Sequence, residues 1–110
     1  MYVLTLTEKL LLLAVIVETD YGRKPTTKGK VHRRYTELSK LAGVEPVTSR
    51  RVLDILKALA KEGVLWIKVH SFGRYGKTTV IKLLLQPRKL CRTLVEDLNI
   101  GEMAEEICRG

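Results

Sequence analysis

The most chemically suggestive stretch of this 110-residue chain is SFGRYGKTT, residues 71–79, in which two glycines flank an Arg-Tyr pair and a Gly-Lys-Thr triplet follows. Such a triplet ends the phosphate-binding loop of many nucleotide-binding proteins. That loop requires another glycine five positions before Gly76, and the position holds Ser71. It also leads into a helix, whereas the β-branched run 79–83 predicts a strand. We therefore predict a hairpin tip rather than a nucleotide site.

No other set of residues predicts catalysis or metal binding. The sequence has no carboxylate pair suited to acid–base catalysis, no histidine with a nucleophile and no cluster of metal ligands. Cys91 and Cys108 fit no metal-ligand spacing, and because the chain shows no export signal we expect reduced thiols rather than a disulfide. His70 is expected to be an ordinary surface histidine. We predict a chain that is not an enzyme and needs no cofactor or metal.

The charge distribution favours a polyanionic partner. Residues 21–95 contain 18 Lys and Arg against 4 acidic residues, while residues 1–20 and 96–110 are net acidic. A hydrophobic content of 45% and this length predict one folded domain, residues 1–110. The longest apolar run, Leu10–Val17, is far shorter than the roughly 20 residues that span a bilayer, so we predict no membrane partner.

The first two helices are predicted from apolar periodicity. The first covers about 7–19 with Thr7 as its N-cap, and because it is apolar almost all round we expect it to be buried. Residues 20–27 contain Gly and Pro and are predicted to form an exposed basic loop. The second helix covers about 28–42, and Gly43 ends it in the left-handed conformation.

A third helix, about 48–62, has one apolar and one cationic face. Thr48 or Ser49 can cap it and Gly63 ends it. Its inward positions are Val52, Ile55, Leu56 and Leu59, and its outward positions are Arg50, Arg51, Asp54, Lys57, Ala58 and Lys61. Two helices joined by a short turn, the second one cationic, are typical of a helix-turn-helix.

Two strand-like runs follow, and together they make a wing hairpin, residues 64–85, whose loop is the stretch 71–79 (the wing loop). Helices are predicted again over about 87–108, first from Pro87 to about residue 98 and then from Asn99 or Gly101. The predicted fold class is α+β: a winged helix-turn-helix of three helices and a two-stranded wing hairpin, with a C-terminal helical extension.

The third helix is the predicted reading element for double-stranded DNA, because a helix fits the major groove and its N-terminal residues meet base edges. Arg50 or Arg51 can pair with guanine, and Asp54 can accept from a cytosine amine. Thr48 and Ser49 suit a phosphate oxygen at the helix start. Lys57 lies on the same cationic face.

The wing loop is the predicted second contact. Gly73 and Gly76 allow positive φ and close approach, which holds Arg74 out at the tip for the minor groove. Tyr75 can pack on the sugar-phosphate edge, or back on the core as in an ordinary hairpin. Lys77 and Thr78 are predicted to contact backbone phosphates.

A known family shares these motifs. VEPVTSRRV at 44–52, GVL at 63–65 and SFGRYGKT at 71–78 resemble the C-terminal winged-helix domain of the archaeal Orc1/Cdc6 replication initiators. In that family the wing reads close to Ser-x-Gly-Arg-Tyr-Gly-Arg/Lys-Thr. The resemblance extends from the first helix to the second strand and is weaker over the last 25 residues.

The resemblance implies duplex DNA binding at replication origins, with the recognition helix in the major groove and the wing in the minor groove, and a part in loading the replicative helicase. Family members also hold an N-terminal AAA+ ATPase module, and no Walker motif occurs in this sequence. The resemblance therefore implies partnership with that module in a full-length protein, no ATP hydrolysis by this chain, and a cytoplasmic, nucleoid-associated location.

Two other functions fit the residues. A stand-alone winged-helix transcription regulator would use the same surfaces, and only the sequence upstream distinguishes it from an initiator. A docking module for the helicase or for the ATPase domain is suggested by the apolar first helix and the acidic C-terminal segment.

Overall fold

A computed structural model of the chain describes residues 4–71 and 76–109. In chain order the elements are α1 (Leu6–Glu18), β1 (Thr26–Thr27), α2 (Lys28–Leu41), α3 (Ser49–Lys61), β2 (Leu65–Ser71), β3 (Lys77–Leu83), α4 (Pro87–Val95) and α5 (Gly101–Arg109). The predicted α+β winged-helix fold is confirmed. It consists of a helix-turn-helix, a wing hairpin formed by β2 and β3, and a C-terminal helical pair.

Helix α1 is the centre of the molecule. All seven residues from Leu10 to Ile16 are buried, and the helix contacts α2, α3, α5 and β3. The expected N-cap at Thr7 was wrong, because the helix starts two residues earlier in a capping box. The Thr5 hydroxyl accepts from the backbone N–H of Glu8 at 3.2 Å, and the Glu8 carboxylate accepts from the backbone N–H of Thr5 at 2.9 Å.

The turn between α2 and α3 fixes the entry into the recognition helix. Gly43 has φ +70°, and beyond it the N–H of Val44 donates to the carbonyl oxygen of Ser39 at 2.9 Å, which closes α2 as predicted. Tyr35 on α2 is completely buried, and its hydroxyl accepts from the N–H of Val47 at 2.9 Å. The segment before α3 is therefore tied to the core by a hydrogen bond to a buried tyrosine.

The sheet has three antiparallel strands in the order β1-β3-β2. The third strand corrects the prediction of an exposed loop at 20–27, because Thr26 pairs with Ile81 and Thr27 with Val80, and Thr26 is only 4% exposed. A two-residue strand has no recognisable alternation, and its partner lies more than 50 residues away in sequence. Its formation therefore depends on a non-local pairing.

The C-terminal pair α4 and α5 is joined to the core by polar contacts. Lys9 on α1 donates to the carboxylate of Asp97 in the turn after α4, and this hydrogen bond holds the pKa of Asp97 below its ordinary value of 3.8. Burial opposes the shift, and the backbone N–H groups of Asn99 and Ile100 reinforce it. The Tyr21 hydroxyl donates to the carbonyl oxygen of Ile107 near the end of α5.

A disulfide between Cys91 and Cys108 also connects the pair, so the expectation of two reduced thiols was wrong. The bridge joins α4 to α5 across 17 positions of sequence, with the two Cα atoms 6.0 Å apart. The approach of the two thiols results from the packing of α5 against α4, which no local pattern in the sequence indicates.

Candidate nucleic-acid interface

Helix α3 has the two faces that the periodicity predicted. Val52, Ile55, Leu56 and Leu59 are buried, whereas Arg50, Arg51, Asp54, Lys57, Ala58 and Lys61 are exposed. Thr48 is the N-cap, and its hydroxyl accepts from the N–H of Arg51 at 3.2 Å. The cap fixes where the helix starts and so which side chains project from its first turn.

An open groove of about 650 Å³ lies where α3 faces the start of α2 and the end of the wing hairpin. Its lining consists of Thr27, Lys28, Gly29, His32, Ser49, Leu53, Lys57, Val69, Lys77, Thr78 and Thr79. Three lysines, one histidine and four hydroxyl groups are among these residues, and no carboxylate is. We call it the basic groove. Its lining suits a partner with several negatively charged oxygens.

The first turn of α2 opens onto the basic groove. Thr27 is the N-cap but its side chain makes no capping hydrogen bond, so that side chain satisfies none of the first N–H groups of the helix. A Cβ on Gly29 would meet nothing within 4 Å. Lys28 crosses the groove and donates to the Ser49 hydroxyl at 2.7 Å, which joins the starts of α2 and α3. Positive charge and the positive end of the helix dipole therefore coincide.

The predicted residues of α3 divide between two grooves. Ser49 and Lys57 line the basic groove, whereas Arg51 and Asp54 line a second groove of about 450 Å³ beside the start of α1. Glu8 and Ala58 also line the second groove. Arg50 lines neither, and on the helical wheel it lies near Lys57 on the exposed face. Arg50 and Arg51, which were equal candidates for guanine contact from the sequence, thus have different surroundings.

The described part of the wing loop reaches the basic groove. Gly76 has φ +96°, and Lys77 and Thr78, which follow it, line the groove. The predicted tip residues Gly73, Arg74 and Tyr75 lie outside the described residues. Their proposed DNA contacts therefore remain predictions.

The start of α2 contributes more to the interface than the sequence predicted. The predicted DNA contacts lie on the third helix and the wing loop, and they include neither Gly29 nor Thr27 in the loop before the helix. A signal was present, because a lysine and a glycine stand at the predicted start of the helix, where free N–H groups and the dipole favour an anion. The position of this turn opposite Ser49 depends on the packing of α2 against α3 and could not be predicted.

Metal-ligand clusters and membrane-spanning helices are absent from residues 4–71 and 76–109. No three His, Cys, Asp or Glu side chains in this part of the chain come together as metal ligands. None of the described helices is long and apolar enough to cross a membrane.

Comparison with known proteins shows similarity to one family over most of the chain. The profile of a family described as “CDC6, C terminal winged helix domain” matches residues 1–93. An ORC1-type DNA replication protein of Pyrococcus abyssi is 38% identical over 107 residues, which cover 97% of this chain and 26% of that protein. ORC1-type DNA replication protein 1 of Sulfurisphaera tokodaii is 39% identical over 88 residues, covering 80% and 22%.

A solved structure is also similar. The Aeropyrum pernix Orc1 protein in complex with DNA matches with a TM-score of 0.82 at 37% identity, over 91% of this chain and 26% of that one. The chain thus spans about a quarter of the length of these relatives.

Proposed function

Because the chain belongs to the CDC6 C-terminal winged-helix family, we propose that it binds double-stranded DNA at replication origins, with α3 in the major groove and the wing in the minor groove. The relatives are named as DNA replication proteins, and one is solved in complex with DNA, which supports origin binding over a stand-alone transcription regulator.

The observation that carries the proposal is the basic groove. Lys28, Lys57 and Lys77 approach it from three elements, α2, α3 and β3, and no carboxylate opposes them in its lining. A duplex with its phosphate backbone along this groove would place α3 beside a major groove about 12 Å wide. The hydroxyls of Ser49 and Thr78 would donate to the same backbone.

Base readout in this geometry is assigned to the exposed start of α3. Arg50 is the first candidate for guanine, because it projects from the first turn near Lys57. Arg51 and Asp54 lie toward α1 and would meet the next base pairs or the flanking strand. In the wing, Arg74 would enter the minor groove and Tyr75 would contact the sugar-phosphate edge.

The setting of the domain is part of the proposal. The relatives are about four times longer than this chain, and we propose an AAA+ module in the same full-length protein, the replicative helicase as a further partner, and a cytoplasmic location at the nucleoid. No catalytic role is assigned to the winged helix itself. Its part is to position the initiator on duplex DNA.

Selection from a randomised duplex pool, followed by fluorescence anisotropy at fixed salt, tests duplex recognition. The wild-type chain is expected to prefer the selected duplex, and Arg50→Ala is expected to reduce that preference by about 1 to 3 kcal/mol while changing affinity for random duplex less. An NMR titration should shift the amides of Ser49, Lys57 and Lys77 together. Binding that does not weaken with salt would contradict the proposal.

A second function, protein docking, is favoured by one observation, an acidic surface at the C-terminal end of the chain. Glu102, Glu105 and Glu106 on α5 are exposed, and Leu98 in the preceding turn is fully exposed. The other argument for docking is weakened, because the apolar α1 is buried in the chain's own core. Titration with the purified helicase would test docking: amide shifts confined to α5 would support it, and their absence would contradict docking of the helicase on this helix.

A further inference from the structure

The wing sheet has a second face, and the proposed duplex binding uses only its edge near Thr78. Along β2 and β3 successive side chains alternate between faces, and Leu65 and Ile81 are buried on the inner one. The antiparallel register places the other set opposite one another in pairs. This outer face comprises Trp66, Lys68 and His70 on β2 and Thr78, Val80 and Lys82 on β3.

The outer face is cationic and carries an accessible indole. Trp66 is 37% exposed, Lys68 and Lys82 are exposed, and His70 is partly exposed. Neither strand contains an aspartate or a glutamate. The Lys82 ammonium lies 4.7 Å from the centroid of the Trp66 ring. The chain therefore presents an aromatic ring with two lysines beside it, on a sheet surface without carboxylates.

This face is separate from the basic groove. The groove is lined by Val69, Lys77 and Thr79, which alternate with the outer-face residues along the same strands. Thr78, at the start of β3, belongs to both sets, and Thr27 on β1, which pairs with Val80, lies where the outer face meets the groove. Trp66, Lys68 and Lys82 are absent from the groove lining, so a ligand held by these three residues and a duplex in the groove would lie on opposite faces of β2 and β3.

We propose that the outer face binds single-stranded nucleic acid, with a base stacked on Trp66 and phosphates on Lys68 and Lys82. Sequence-tolerant single-strand sites combine an aromatic ring with a positively charged track in this way. In a duplex the bases are stacked inside and cannot reach the indole. An acidic peptide would engage the lysines but would have no group that stacks on Trp66.

The contact between Lys82 and Trp66 does not block stacking. Displacing an exposed cation–π contact weakens binding by about 2- to 5-fold, whereas stacking of one base on an aromatic residue strengthens it by about 5- to 150-fold. The displaced ammonium then becomes available to a phosphate. The observed arrangement is thus the resting form of the site, with Lys82 resting on the ring that a base would cover.

Trp66 is the only tryptophan in the chain, so its fluorescence reports directly on this site. Titration of the 110-residue chain with oligothymidylate of about 12 nucleotides is expected to quench the emission. With two lysines on phosphates, the slope of log K against log salt should be about −1.4. Absence of quenching at low salt would overturn the proposal.

Matched variants separate this site from the duplex site. With labelled oligothymidylate, Trp66→Ala should weaken binding by about 5-fold or more and Trp66→Phe by less, since a phenyl ring still stacks. Lys68→Ala tests the phosphate track without changing the ring, and circular dichroism checks that each variant is folded. Duplex affinity should be unchanged in all three variants.

The reciprocal control is Lys57→Ala, which should weaken duplex binding and leave single-strand binding intact. Equal losses for both ligands in Trp66→Ala, or quenching by a glutamate peptide but not by the oligonucleotide, would overturn the assignment. Failure of duplex binding alone would leave this inference standing, because the two ligands are measured separately.

Discussion

Replacing two lysines of the basic groove tests the duplex interface most directly. Lys57 on α3 and Lys77 on β3 line the groove from different elements, and both are exposed. Within the described residues neither forms an ion pair, so their removal leaves no carboxylate without its partner. Alanine at both positions should therefore leave stability nearly unchanged and alter only the charge that a duplex meets.

The expected loss of duplex affinity follows from counterion release. Each phosphate neutralised on B-DNA contributes about −0.9 to the slope of log K against log salt, which is about an 8-fold gain in affinity at 0.1 M salt. Loss of two such contacts in Lys57→Ala/Lys77→Ala should reduce the steepness of the slope by about 1.8. It should weaken binding about 60-fold, whatever the sequence of the duplex.

The assay is anisotropy of a labelled duplex at several salt concentrations between about 50 and 200 mM, the range over which phosphate contacts change affinity most visibly. Lys40→Ala is the matched control, because Lys40 is an exposed lysine on α2 roughly 18 Å along the helix from Lys28. A double variant with the wild-type slope, or a control that changes the slope as much, would refute the assignment of the groove.

Three further predictions concern stability, each measured by urea unfolding. Cys91→Ser should lower the free energy of unfolding by about 3 kcal/mol, since its disulfide closes a loop of 17 positions. As a control, the wild-type chain with its disulfide reduced should be as stable as the variant. Asp97→Asn should be destabilising above about pH 4, and the deficit should shrink as pH falls, because the lowered pKa of Asp97 contributes stability that protonation removes. A deficit independent of pH would contradict this. Gly101→Ala should cost about 1 to 3 kcal/mol because a Cβ would lie 2.6 Å from the carbonyl oxygen of Val95, whereas Gly29→Ala, with open space, should be neutral or stabilising.

The features that could be predicted from the sequence are those produced by interactions between near neighbours. The period of apolar residues in α3 defined its buried and exposed faces, because a helix repeats every 3.6 residues wherever it lies. Gly43 and Gly63 ended their helices with positive φ, and Pro87 began α4, since these preferences belong to the residue itself. The order of these elements was sufficient for the winged-helix fold.

With one exception, the predictions that failed or were incomplete depend on contacts between distant segments. The exception is local: Thr5 rather than Thr7 caps α1, because Thr5 and Glu8 form the reciprocal hydrogen bonds of a capping box. The pairing of Thr26 with β3 and the disulfide of Cys91 require elements far apart in sequence to pack together first.

The features of the candidate interface also separate into those set by short segments and those set by tertiary packing. The amino-acid sequence by itself determined that a cationic helix and a glycine-bearing wing exist, because charge and turn preference are properties of short segments. Only the tertiary structure decided that Lys28 lies against Ser49, that Arg50 and Arg51 have different surroundings, and that Trp66 lies on the far side of the wing sheet. These positions are set by the packing of α2 against α3 and by the register of the strands, and neither is encoded in any one segment of the chain.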